Sequence, residues 1–419
     1  MNSNLSTASS VALGRRVPES AWLRIAKVFT LLAGSVLILT GIAIGSIYLV
    51  LSLFAPHAVG SSPLNAGTTG FSIFALTLSL GGALVFQVVS SLSGRSSSLF
   101  GFPAPVLFIA AFVIVVALGV VVSAIGNLGW ILFPVFYVLG IALPVGWILS
   151  LVGNRLVRYG VAITWRETIL QLSSGAFVTT SLALFLEMLA VIAVIVVVLI
   201  AVIVTPGGVD TLQSLAESVE SPGWIDDPSN IKEFLFTPVV AGSLFFLLAV
   251  AVPLAEELLK AIGVLLMVYR RPSKQQALWW GVLGGAGFAF AEGLFNGNLA
   301  IGDMSWGLLA PMRFGTTVLH CATGALMGLG WYALLRQGHL LQWLKYYVVA
   351  VILHAVWNAL SLGLMFAAPD AVPVFGGVTL GTSGPLILTM LLVGEAVAIV
   401  ILLLWLVRTS SQPEPSEAH

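Results

Sequence analysis

Charge is scarce in this sequence of 419 residues. Charged residues make up 8% of the chain and hydrophobic residues 59%. A soluble globular domain carries about 25% charged residues, so this chain has too little polar surface to cover a water-facing globule. Lysine plus arginine equals aspartate plus glutamate, at 17 each, which provides no net basic charge to favour a nucleic-acid partner. The composition therefore indicates a protein of the lipid bilayer.

Cysteine is almost absent, and no repeat of fixed period is seen. The single cysteine, Cys321, excludes an intrachain disulfide and a cysteine-rich metal site. We interpret it as a small packing residue, because a reactive thiol requires a more polar environment. The lack of self-similarity gives no support to an inverted-repeat transporter.

Long apolar segments dominate the chain instead. A membrane helix needs about 20 mostly apolar residues, and ten segments meet this requirement. We therefore predict an all-α, polytopic bundle of about ten transmembrane helices, at residues 28–53, 71–92, 104–125, 130–152, 169–204, 234–269, 277–300, 308–335, 343–367 and 384–408. The segment 234–269 contains Pro253, which kinks a helix. One broken crossing is the favoured interpretation, and two shorter spans are the alternative.

The distribution of basic residues gives the expected orientation. Lysine and arginine concentrate on the cytoplasmic side of membrane proteins. With ten spans and a cytoplasmic N-terminus, only Lys232 falls in an outside loop, and Lys260 and Arg313 fall within spans. Splitting residues 234–269 into two crossings would scramble this asymmetry. We therefore expect a multi-pass protein of the cell membrane with both termini in the cytoplasm.

The same features divide the chain into regions. We predict a cytoplasmic tail at 1–27, a five-span region of unknown role at 28–204, an acidic extracytoplasmic loop at 205–233, a second membrane domain at 234–367, a loop and last span at 368–408, and a disordered cytoplasmic tail at 409–419. The first five spans are expected to form a separate layer, because Glu187 is their only deep ionisable residue. Glu187 and Glu395 belong to no motif, and we interpret both as packing or interface residues.

Deep ionisable residues are concentrated in the second half. Each costs about 2.5–3.5 kcal/mol at the bilayer centre on insertion scales, so such residues survive mainly where they face a polar cavity. Helix rise places Glu256, Glu292 and His320 roughly 21–24 Å from the inner ends of their spans. His354 lies on a fourth span, roughly 14 Å deep. We therefore expect these residues to line one intramembrane site.

Spacing within each span supports a shared site. Glu256 and Lys260 lie one turn apart, so the ammonium can neutralise one carboxylate, while Glu257 lies about 100° around the helix. Two adjacent carboxylates in an apolar environment cannot both ionise easily, which suits one of them for acid–base chemistry. His354 and Asn358 are also one turn apart.

Four motifs in this half resemble the PrsW family of intramembrane proteases, relatives of the CAAX-processing and bacteriocin-protection proteases. Glu256-Glu257-Leu-Leu-Lys260 is similar to an EExxK motif, and Phe288-Ala-Phe-Ala-Glu292 to an FxxxE motif. The segment from Arg313 to His320 resembles the Arg-and-His span, and His354-Ala-Val-Trp-Asn358 resembles the HxxxN motif. The resemblance covers about residues 234–367 and implies a PrsW/CAAX-protease-like core.

The resemblance also implies roles for these residues. Glu256 would activate a water, Glu257 would share or relay its proton, and Asn358 would help to stabilise the oxyanion. His320 and His354 would orient that water or bind a metal. The auxiliary residues would be Lys260, Phe288, Glu292 as an acid, and Arg313 as a partner of a carboxylate or a substrate carbonyl. The set His320, His354 and Glu256 suffices for a catalytic zinc. A glutamate–histidine site with support from Asn358 needs no metal and is the mechanism we favour, so the cofactor is either none or zinc.

We therefore predict an intramembrane peptidase that acts on another membrane protein, such as a single-span regulator of the anti-sigma-factor kind. One alternative is a proton- or ion-coupled transporter that uses the same Glu and His residues as a relay. The other is a catalytically inert scaffold, which the presence of both adjacent glutamates disfavours.

Overall fold

A computed structural model describes residues 21–54, 63–205, 207–221, 224, 230, 237–266, 270–299, 306–366 and 383–411. Among these residues, ten helices are long and apolar enough to cross a membrane. The sequence-based prediction of an all-α bundle with ten spans is confirmed. The two predicted tails lie mostly outside the described residues.

The ten spans follow one another along the chain. In order, they are Ala21–Phe54, Asn65–Leu92, Pro105–Ser123, Ile131–Arg158, Trp165–Val204, Pro238–Leu265, Lys274–Asn296, Trp306–Gln337, Leu340–Leu364 and Gly384–Ser410. The loop after the fifth span contains a further helix, Gly208–Glu220. Three spans contain a short π-helical turn, at Thr77–Gly81, Ser174–Thr179 and Leu247–Ala251.

The sixth span is a single broken crossing, as the sequence favoured. Its π-helical turn Leu247–Ala251 comes immediately before the helix Val252–Leu259, which contains Pro253. Proline has no N–H to donate to the preceding turn, so the regular hydrogen-bond ladder is interrupted where the π turn lies. The helix ends at Leu259 and a short helix resumes at Ile262.

The seventh and eighth spans form the centre of the bundle through backbone contact at glycines. A Cβ at Gly281 would overlap the backbone oxygen of Gly324, and a Cβ at Gly285 would overlap that of His320. Small residues allow membrane helices to approach this closely and gain packing energy. The approach fixes His320 at a set distance from the seventh span.

The fourth and fifth spans pack against the same centre. The Tyr137 hydroxyl donates to the backbone oxygen of Gly293 at 2.7 Å. On the fifth span, Gln171 Nε2 donates to Gly263 O at 3.1 Å, and Gly175 meets the backbone of Gly284. Hydrophobic residues from both halves join in one core. The expected separate five-helix layer is therefore wrong, because glycines and polar side chains join these spans to the second half.

Candidate active site

Four acidic and basic side chains from three spans converge inside the bundle. Glu256 and Glu257 come from the sixth span, His320 from the eighth and His354 from the ninth. Each offers one ligand atom, and these atoms all lie within 4.8 Å of one another. Glu256 is 5% exposed and the other three are 2% exposed or less. The structure thus brings together the predicted catalytic residues except Asn358.

Lys260 supplies a buried positive charge to the two carboxylates. Its Nζ donates to Glu257 Oε1 and lies 3.6 Å from Glu256 Oε2. The ammonium also lies over the ring of Phe288, 5.2 Å from its centroid, where a cation–π attraction stabilises it. The sequence spacing favoured Glu256 as the partner. The structure puts Glu257 closer, because Lys260 sits in the turn after the helix and residues three apart are also neighbours.

His354 is held by the same carboxylate. Its Nδ1 lies 2.7 Å from Glu257 Oε1 and 3.7 Å from Glu256 Oε2. Because an ionised carboxylate only accepts hydrogen bonds, Nδ1 carries the proton and Nε2 is left for another partner. Glu257 Oε1 therefore joins Lys260 and His354, and this fixes the imidazole orientation.

A second carboxylate holds His320. Its Nε2 lies 2.6 Å from Glu292 Oε2, while Arg313 Nη1 lies 3.1 Å from Glu292 Oε1. Phe288 packs against the His320 ring with centroids 5.1 Å apart. The rings of His320 and His354 are nearly perpendicular, with their centroids also 5.1 Å apart. Both histidines are thus oriented by carboxylates, and all four predicted auxiliary residues contact the site.

Three buried polar atoms of this cluster have no hydrogen-bond partner among the described residues. They are Glu256 Oε2, Glu257 Oε2 and His320 Nδ1. Buried polar atoms are nearly always satisfied, so these atoms mark where a ligand belongs. Imidazole nitrogen and carboxylate oxygen are zinc ligands. A carboxylate on the other nitrogen of each imidazole is also the usual support of a metal-binding histidine. The residues therefore fit a zinc ion.

Asn358 lies one turn beyond His354 but is directed elsewhere. Its Nδ2 donates to the backbone oxygen of Leu248 at 2.8 Å. Leu248 belongs to the π-helical turn of the sixth span. In this structure, Asn358 satisfies a carbonyl in the broken part of the helix and holds the sixth span to the ninth.

The sequence analysis missed Glu187 of the fifth span. Two residues on its helical face point to the sixth span: Thr179 donates to the backbone oxygen of Leu259, and Ala183 is buried. Glu187 follows one turn later on the same face, which directs it toward the sixth span that carries Glu256. The fifth span is almost uniformly apolar, so periodicity could not show which face is inward; the depth of Glu187 was the only signal.

Two other predicted packing residues are not members of the four-residue cluster. Glu395 is on the tenth span, and both its carboxylate oxygens are buried without a hydrogen-bond partner in the described part of the chain. Cys321 is fully buried next to His320, as expected for a packing residue.

A protein-family model, described as PrsW family intramembrane metalloprotease, matches residues 164–381. No curated protein and no solved structure matches the chain. The family match spans more than half of the chain and includes all four motifs. It begins at the start of the fifth span, 70 residues before the boundary at 234 that the motifs suggested. The chain therefore belongs to the PrsW family of intramembrane metalloproteases.

Proposed function

We propose that this protein is a peptidase that hydrolyses a peptide bond in or near the membrane segment of another membrane protein. The observation that carries the proposal is the buried cluster of Glu256, Glu257, His320 and His354, whose ligand atoms lie within 4.8 Å of one another. Hydrolysis within a membrane requires a polar site that can hold water and exchange its protons, and this cluster has the groups to do so. Membership of a membrane protease family supports the same reaction.

In the metal-free form of the proposal, Glu256 is the general base. Glu257 Oε1 is engaged by both Lys260 and His354, whereas Glu256 Oε2 is buried without a hydrogen bond to any described residue. Glu256 is thus the carboxylate with capacity to take a proton from the attacking water and deliver it to the leaving amine. Glu257 positions His354 and balances the charge of Lys260.

His320 and His354 are the proposed groups that orient water and the substrate carbonyl. A zinc ion at this site would be held by His320, His354 and Glu256, and would supply a more acidic water and a polarised carbonyl. In the metal-free form of the proposal, the free nitrogen of one neutral imidazole accepts a hydrogen bond from the water, and that of the other, when its ring is protonated, donates to the oxyanion. In both forms, Glu292 and Glu257 keep the rings oriented.

Arg313 and Glu292 are the more exposed residues of the site. Their side chains are 18% and 17% exposed, respectively, whereas that of Glu256 is 7% exposed and that of Glu257 fully buried. The polar site is therefore most open on the Arg313 side. We propose that the substrate backbone approaches there and that the guanidinium binds a substrate carbonyl.

The proposed substrate is a single-span membrane protein, such as a regulator of the anti-sigma-factor kind. The proposed location is the cell membrane, with both termini in the cytoplasm. This orientation is supported by the basic residues at the inner ends of the spans.

The test is cleavage of a panel of single-span peptides by purified protein, with and without a chelator. We expect Glu256→Gln and His354→Ala to lose about 10²–10⁴-fold in rate, the usual contribution of an acid–base group. Glu395→Gln, a carboxylate outside the cluster, is the matched control and should cleave normally. Loss of activity on chelation with recovery on zinc addition would select the metal form. If Glu256→Gln cleaves at the parental rate while ion or proton flux collapses, the protein is a transporter.

A further inference from the structure

A second polar site lies at one membrane surface, apart from the catalytic cluster. A cavity of about 460 Å³ opens between the first, second, fifth and sixth spans. It lies near the start of the first and fifth spans and the end of the sixth, where the positive-inside pattern places the cytoplasmic surface. The catalytic residues do not contribute to its walls.

Three cations surround this cavity. They are Lys27 of the first span, Arg166 at the start of the fifth and Arg270 after the sixth. Glu167 pairs with Arg270, with Nη1 and Oε1 3.3 Å apart. Among the described residues at the cavity, one carboxylate accompanies three cations, and this excess of positive charge favours an anionic ligand.

The cavity also presents unused hydrogen-bond donors. Arg166 Nη2 donates to the backbone oxygen of Arg95 at 3.0 Å, which holds the guanidinium in place. Arg166 Nε and Ser174 Oγ are both buried and have no hydrogen-bond partner among the described residues. Buried donors of this kind are normally satisfied, and both belong to residues of the cavity wall. Phosphate oxygens are strong acceptors that guanidinium groups recognise well.

The other walls are apolar. Leu23 and Ala26 of the first span, Val88 of the second and Leu170 of the fifth line the cavity. A cationic group at the surface combined with an apolar wall toward the bilayer matches a phospholipid, which has an anionic head and apolar chains. Basic pockets between membrane helices on the cytoplasmic side bind anionic headgroups in this way.

We propose that this cavity binds the phosphate group of an anionic phospholipid of the same leaflet. Lys27, Arg166 and Arg270 hold the phosphate, Ser174 and Arg166 Nε complete its hydrogen bonds, and the apolar wall holds the upper part of an acyl chain. The bound lipid connects the first span to the fifth and sixth, and so reaches the helices that carry Glu187 and Glu256.

The test measures phosphatidylglycerol binding to the full-length protein in nanodiscs whose other lipid is phosphatidylcholine. Each cation removed from such a site weakens binding about fivefold. We therefore expect Lys27→Gln and Arg166→Gln each to bind phosphatidylglycerol about fivefold more weakly, and the double variant about 25-fold. Arg336→Gln is the matched control, because Arg336 is an exposed cation at the end of the eighth span. Lys27 lies on the first span, which is mostly exposed to its surroundings. Its variant therefore keeps the test valid if Arg166→Gln does not fold.

The source of the phosphate is resolved by a second arm with inorganic phosphate in pure phosphatidylcholine nanodiscs. Phosphatidylglycerol binding that depends on the two cations, without binding of inorganic phosphate, supports the lipid. Binding of inorganic phosphate with the same dependence supports the phosphate site and assigns it a soluble ligand. Equal affinity of the parental protein, Lys27→Gln and the double variant for phosphatidylglycerol would overturn the proposal.

Discussion

The seventh and eighth spans differ sharply from the first and tenth. In the most apolar 18-residue stretch of each span, 89% of the residues are buried in the seventh and 78% in the eighth, against 17% in the first and tenth. All four are membrane helices, but the buried pair contains the closely packed glycines together with Glu292 and His320. In a bilayer, the solvent is apolar, so the hydrophobic effect does not sort helices inward. In this protein, the most buried spans are therefore those that carry small and polar residues.

The two kinds of span also contact their neighbours differently. The seventh and eighth meet backbone to backbone at glycines such as Gly281 and Gly324. The first and tenth present large side chains such as Phe29 and Trp405 to the surroundings. A close helix pair gives little freedom to the residues it carries, and a catalytic site needs that rigidity. The comparison predicts that substitutions in the two kinds of span have very different effects.

The largest effect is expected from enlarging a central glycine. Gly285→Val should prevent folding, because its Cβ would overlap the backbone oxygen of His320 and backbone cannot move aside cheaply. Gly394→Ala in the tenth span is the control, since a Cβ there meets nothing within 4 Å. The measurement is the yield of monodisperse protein in detergent. Equal yields of the two variants would remove the distinction between the central and outer spans.

Lys260→Met should destabilise the protein by about 3–5 kcal/mol, the usual cost of leaving a buried charge without its partner. The ammonium is fully buried between Glu256 and Glu257. Adding Glu257→Gln should recover much of this stability, because the uncompensated carboxylate is then gone. Lys345→Met on the exposed face of the ninth span is the control. The free energy of unfolding in detergent measures all of these effects. If the double variant is as unstable as Lys260→Met alone, the unpaired charge is not the cause of the destabilisation.

If Glu187 bonds to Glu256 where the fifth and sixth spans meet, Glu187→Gln should lower the cleavage rate about tenfold, the value of one hydrogen bond to a charged group. Glutamine keeps the size of the side chain, so stability should change little. Glu395→Gln should leave the rate unchanged. Cleavage kinetics of one membrane peptide by both variants tests whether the fifth span contributes to the site, and identical rates would return Glu187 to a packing role.

The smallest effect on the rate is expected from Asn358→Ala. The Asn358 amide donates a hydrogen bond to Leu248 O. Removing the amide should therefore reduce the free energy of unfolding by about 1 kcal/mol, the net value of one hydrogen bond. The rate should fall only slightly. A rate loss of about 10²–10³-fold with unchanged stability would instead identify Asn358 as the oxyanion donor that the family resemblance implies.

The sequence predicted the spans and the convergence of the motifs well, because both depend on length, depth and rare charges. Glu256, His320 and His354 are recognisable in isolation, since few ionisable residues lie that deep. The inward face of Glu187 could not be predicted, because a uniformly apolar helix has no polar side for comparison. The closer pairing of Lys260 with Glu257 depends on where the helix ends. The packing of the fifth span depends on backbone contacts at Gly175. Hydropathy encodes neither of these features.

The π-helical turn Leu247–Ala251 in the sixth span has a consequence for tolerance to insertion and deletion. A π turn holds one residue more than the α-helical turn it replaces. A deletion inside the turn can therefore be absorbed by a return to a regular α-helical turn. Deleting a single residue between this turn and Glu256 would instead rotate Glu256 and everything after it by about 100°. The hydropathy of the span would be unchanged and the helix would still insert, but Glu256 and Lys260 would face a different neighbour. Homologues that keep the reaction should therefore keep the residue count from this turn to Glu256, even where its amino acids vary freely.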